Sequence, residues 1–154
     1  MDDKFIIGEQ ADPRLELKRL LDYNEFIYTE QEDGFRLIFS DMGLKWETEF
    51  VCTEEEVLIF SVYPFSVRNQ ADAEEFCAMV NRQVVFGAML WDSASGRLVF
   101  RTGADLFDAY SAYEQIGRQL EYNANVITYF WSQAADAAQR SDAVESTKET
   151  KETK

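Results

Sequence analysis

Histidine is missing from this sequence altogether, cysteine and proline occur twice each, and 15 basic residues face 29 acidic ones. Without histidine there is no Ser-His-Asp triad, no Cys-His nucleophile pair and no histidine-ligated zinc. A formal charge of −14 repels phosphate backbones, and no basic patch stands out to reverse that, so nucleic acid is not an expected partner. Cys52 and Cys77 sit in apolar patterns and read as small buried hydrophobes in a reducing compartment. The start, MDDKFIIGEQ, is acidic with a three-residue apolar run, unlike a secretory signal, and no stretch approaches the ~20 apolar residues of a bilayer-spanning helix. A cytoplasmic protein without a membrane partner is expected.

What is present is apolar material for a core: 46% of the 154 residues are hydrophobic and 14% aromatic, enough to argue against whole-chain disorder. Residues 1–12 read as an arm and 13–139 as one domain. The last fifteen, RSDAVESTKETKETK, carry four basic and four acidic residues and almost nothing to bury. Residues 140–154 are therefore expected to form a disordered charged tail.

Asp12-Pro13 is a helix start, with Leu17, Leu20 and Leu21 at helical spacing to about Tyr23. Four strand-like runs follow: Phe26 to Glu30, Phe35 to Ser40, the alternating Leu44 to Cys52, and VLIFSVY, which is apolar on both faces and is stopped by Pro64. Asp72-x-x-Glu75 resembles a capping box opening a second helix to about Gln83. Phe86 to Trp91 and Leu98 to Thr102 flank the loop DSASG, where Gly96 takes the left-handed turn position. Ser111-x-x-Glu114 opens a final helix to about Ala138, ~40 Å long. The order α-β-β-β-β-α-β-β-α predicts an α+β fold, an antiparallel sheet flanked by helices.

Two features suggest binding. On the final helix, Tyr113, Gly117, Leu120, Ala124, Ile127 and Trp131 recur every three or four residues, a seam of alternating large and small side chains. The seam either packs on the domain's own sheet or forms a dimer or partner surface. The second feature is an acidic rim, Glu47, Glu49, Glu54, Glu55 and Glu56, able to steer a basic partner segment or simply to solvate the surface. Glu54-Glu55-Glu56 lacks the spacing and glycine of a calcium loop, and no GxSxG, GxGxxG or GxxxxGK motif occurs. No catalytic, cofactor-binding or metal-ligating residue can be nominated, and an enzyme is not expected.

From Glu74, EEFCAMVNRQVVFGAMLWDSASGRLVFRTGADL resembles the signature region of the YbjN family of bacterial proteins. There a helix bearing an asparagine, here Asn81, leads to a strand, a glycine turn, here Gly96, and a second strand. The resemblance implies a fold similar to type III secretion chaperones, in small acidic proteins that often dimerise. It also implies a loosely defined role in sensory transduction, stress or motility regulation, without catalytic residues. Asn81 is expected to tie its helix to the following strand. The expectation is a homodimeric, non-enzymatic, chaperone-like or regulatory adaptor that takes a protein segment into an apolar groove with an acidic rim. The alternative is a small-ligand sensor with a pocket lined by Trp46, Phe60, Tyr63 and Trp91.

Overall fold

A computed structural model describes residues 11–106 and 111–152, with side chains through 143. Most of the arm expected over 1–12 lies outside the described residues. Helix α1 (Pro13–Tyr23) starts where Asp12 accepts hydrogen bonds from the N–H groups of Arg14 and Leu15, and Pro13 occupies its first turn. Strands β1 (Thr29–Glu30), β2 (Gly34–Asp41), β3 (Leu44–Cys52) and β4 (Glu56–Ser66) follow, then α2 (Gln70–Asn81), β5 (Ala88–Asp92), β6 (Arg97–Asp105), α3 (Ala112–Tyr129) and α4 (Trp131–Glu152). The strands form one antiparallel sheet in the order β1-β2-β3-β4-β6-β5, with β6 lying between β4 and β5. This is the α+β class.

Alternation along the strands sorts the sheet into two unlike faces. Phe35, Leu37, Trp46, Phe50, Val57, Ile59, Tyr63, Met89, Leu98 and Phe100 point to one face and are buried beneath the helices. They divide into two apolar clusters. One gathers Trp46, Tyr63, Phe100, Ile127 and Phe130 with α2 and α4; the other gathers Phe35, Phe50 and Ile59 with α1 and Ile116. Between them runs a buried polar layer of Thr48, Ser61, Thr102 and Asn123. The Thr48 and Ser61 hydroxyls pair at 2.9 Å. The Asn123 amide donates to the carbonyls of Ile59 (3.3 Å) and Phe100 (3.2 Å) and to the Thr102 hydroxyl (3.0 Å), which holds α3 to β4 and β6.

Several sequence expectations are corrected. Pro64 does not end its strand: β4 continues to Ser66 through a register irregularity between Val62 and Ser66, where a missing N–H costs no ladder bond. Asn69, not Asp72, caps α2, its side chain accepting from the Asp72 N–H. The final helix is two helices that turn at Phe130. Just before the turn the Thr128 hydroxyl bonds back to the carbonyls of Ala124 (3.1 Å) and Asn125 (3.2 Å), a competition that bends helices. The turn carries Ala134, Ala137 and Ala138 into the cluster shared with α2. Residues 140–152, expected to be disordered, continue α4. The physical reason is tertiary: Ser141 is fully buried and its hydroxyl accepts from the Asn69 N–H, while Arg140 lies 3.8 Å from Asp72.

Candidate binding groove

α1 ends against α3. The Asn24 side-chain amide donates to the Leu20 carbonyl (2.8 Å), satisfying one of the helix's last acceptors, and to the Tyr113 hydroxyl (3.4 Å). The Tyr23 and Tyr113 rings meet edge to face at 6.2 Å. Below, the missing side chain of Gly117 leaves room for Leu20, whose Cδ1 would stand 3.8 Å from a β-carbon there. Phe26, in the chain leaving α1, packs edge to face on Phe39 of β2 at 5.2 Å. These contacts enclose a groove of about 580 Å³ with Leu20, Phe26 and Phe39 on one wall. Tyr113, Gly117, Leu120 and Ala124 of α3 form the other wall. Large aromatic side chains stay exposed beside it: Tyr23 at 80% and Tyr113 at 40%. A smaller cleft of about 370 Å³ lies on the other flank of α3, between Val84 and Val85 and the side chains of Tyr122, Val126 and Tyr129.

Four of the six seam residues therefore line one groove, and two do not. Ile127 is fully buried and its carbonyl accepts a hydrogen bond from the Tyr63 hydroxyl at 2.8 Å. Trp131, beyond the turn, packs against Trp46, Tyr63 and Phe65 with centroids 5.3–6.3 Å away. Both pack in the core: Ile127 on the sheet-facing side of α3, and Trp131 because the turn at Phe130 removes α4 from the line of α3.

The acidic residues do not rim this groove. Glu47 and Glu49 point away from the helices, since Trp46, Thr48 and Phe50 point toward them, and Glu47 pairs with Arg36 at 3.4 Å. Glu54 and Glu55 lie in the β3–β4 turn and Glu56 opens β4, with the Thr53 hydroxyl accepting from the Glu55 and Glu56 N–H groups. The groove has its own charged edge, Glu114, Arg118 and Glu121 of α3, with Glu114 and Arg118 paired at 2.7 Å. That edge was legible as the helical stripe one position on from the seam. Leu20, Phe26 and Phe39 carried no such signal, because only long-range packing brings them to α3.

Asn81 holds the Met89 backbone with both ends of its amide, accepting from the N–H (2.8 Å) and donating to the carbonyl (3.0 Å). Gly96 adopts φ +76, and its carbonyl accepts from Val67 N–H (2.7 Å) and the Trp91 indole (3.2 Å). Trp46, Phe60, Tyr63 and Trp91 line no common pocket. Trp46 and Tyr63 are core, Trp91 is pinned to the Gly96 turn, and Phe60 points from the opposite face of the sheet.

The titrating groups are structural in character. Asp22, accepting a 2.6 Å hydrogen bond, pushes the Tyr28 hydroxyl up to about 12. Hydrogen bonding by Arg14, then the Lys18 charge, holds Glu30 below its ordinary range. Burial pushes the Cys52 and Cys77 thiols up to about 11, which makes both poor nucleophiles. Among the described residues, no group of three metal-ligating side chains converges, and no helix is long and apolar enough to cross a membrane.

Compared by sequence, the chain matches no family model and no curated protein. Compared by structure, it is similar to the crystal structure of YbjN from E. coli, described as a candidate transcription regulator. The two share 12% identity and a TM-score of 0.54, over 84% of this chain and 90% of that one. At that identity the likeness is one of fold, and it is the fold that the Glu74 signature region implies.

Proposed function

We propose that this protein is a non-enzymatic regulatory adaptor of the cytoplasm that takes an apolar segment of a partner protein into the groove between α1 and α3. The groove itself carries this reading. At about 580 Å³ it holds a few large side chains, and exposed Tyr23 and Tyr113 supply rigid amphipathic anchors beside it. The charge of −14 favours basic residues next to the apolar anchors of the partner and speeds their encounter in a salt-dependent way. The regulatory description of the structural neighbour fits such a role. Regulation through a protein also suits this charge better than regulation through DNA, whose phosphates it repels.

The test is a comparison of captured proteins. Tagged wild type and Gly117→Trp, which fills the groove from its α3 wall, are used on lysate of the source organism at low and moderate salt. The reading expects a stoichiometric protein that wild type retains, that salt weakens, and that Gly117→Trp loses while its circular dichroism is unchanged. Equal capture by both, or capture of nothing, would refute it.

A further inference from the structure

The face of the sheet turned away from the helices has an unusual make-up. Along β4, Leu58, Phe60 and Val62 point outward, and Val51 of β3, Val99 of β6 and Leu90 of β5 share their face. None of these belongs to either core cluster, and Leu90 (39%) and Ile38 of β2 (62%) are openly exposed. A strand apolar on both faces is the pattern of a strand covered on both, yet all the described helices lie on the other side.

We infer that this face is an interface between two copies of the chain, related by a two-fold axis running along β4. The argument is the register. Across the strands, one row reads Arg36, Glu49, Phe60, Arg101, Ala88 and the next reads Ile38, Glu47, Val62, Val99, Leu90. An axis along β4 lays β3 of one copy over β6 of the other and β2 over β5. Glu49 then meets Arg101 of the second copy, twice, on either side of a Phe60–Phe60 contact. Ile38 meets Leu90, and Val51 meets Gly103, the one position in its row of β6 with no side chain in the way.

This axis brings together the two unpaired charges of the Phe60 row. Glu47 is already answered within its own chain by Arg36, whereas neither Glu49 nor Arg101 has an ion-pair partner among the described residues. At the two rims Lys45 comes opposite Arg97 and Glu56 opposite Glu56 of the second copy, where solvent screens the repulsion. Five strands at ~4.8 Å spacing and ~30 Å of strand length give on the order of 700 Å² per copy, close to the ~800 Å² of a standard stable interface. This surface is separate from the groove, so either can fail without the other.

Analytical ultracentrifugation of the full chain tests it, using wild type, Glu49→Arg, Arg101→Glu and Phe60→Asp. Wild type should be a dimer. Each charge reversal alone should weaken it roughly tenfold or more, since like charges then meet twice. An equimolar mixture of the two reversals should regain the dimer, because both contacts become attractive in the mixed pair. Phe60→Asp should be monomeric with an unchanged circular dichroism spectrum. A wild type that stays monomeric to about 1 mM, a mixture no tighter than either variant alone, or a dimer that survives Phe60→Asp would overturn the inference.

Discussion

Replacing Asn123 measures how firmly the groove's α3 wall is fixed to the sheet. Its side chain is fully buried, and its two N–H groups serve three acceptors, the carbonyls of Ile59 and Phe100 and the Thr102 hydroxyl, at 3.0–3.3 Å. Two buried hydrogen bonds at about 1 kcal/mol each, with a small cavity term, put Asn123→Ala about 2–4 kcal/mol below wild type. Asn123 Oδ1 has no hydrogen-bond partner among the described residues, so removing it returns a little of that cost. In a domain of this size the deficit is a fall in Tm of roughly 4–16 °C. Asn123→Asp should be worse than alanine at pH 7, because it sets an anion against two carbonyl oxygens in a fully buried site. Its carboxyl, buried among acceptors, has a folded-state pKa raised above its unfolded value. The stability it contributes is therefore present below the unfolded pKa and lost as pH rises through the folded one, so the gap to wild type narrows toward pH ~4. Urea denaturation of the three proteins at neutral and acid pH is the assay. Alanine within about 0.5 kcal/mol of wild type, or an aspartate variant no worse than alanine at pH 7, would refute the reasoning.

Two other outcomes follow from the sheet. Glu56 stands opposite Asp105 across β4–β6, and burial, then its hydrogen bond with Asp105, raises its carboxyl pKa. A raised folded pKa means stability lost as pH rises, so Glu56→Gln should melt higher than wild type at pH 7 and lose that advantage as pH falls and the carboxyl protonates; no gain at pH 7 would count against the pairing. At Gly34 a β-carbon would lie 1.7 Å from the Phe50 carbonyl oxygen, whereas at Gly43 (φ +82) it meets nothing within 4 Å. Gly34→Ala should therefore cost more than about 3 kcal/mol by forcing β2 from β3, and Gly43→Ala only the ~1–2 kcal/mol of a left-handed alanine, as chemical denaturation would show; equal costs would contradict the close approach.

The element order, the helix start at Asp12-Pro13, the alternating β3 and the left-handed turn at Gly96 were all legible in the chain itself. Each depends on neighbours within a few residues, through capping, side-chain period or the absence of a β-carbon. The doubly apolar β4 was legible too, as a central strand, but not that one of its faces would lie bare. Where β6 inserts, which carboxylates share a surface, and where the last helix turns depend on contacts between distant segments. Local pattern put Glu47 and Glu49 beside the α3 seam, and the pleat set them on the far side of the sheet. Composition made residues 140–154 a free tail, while Ser141 and Arg140 meet the start of α2. The seam from Tyr113 to Ala124 was visible as a helical stripe. Only packing decided that α1 would stop short of covering it, leaving a groove where the stripe alone allowed either core or surface.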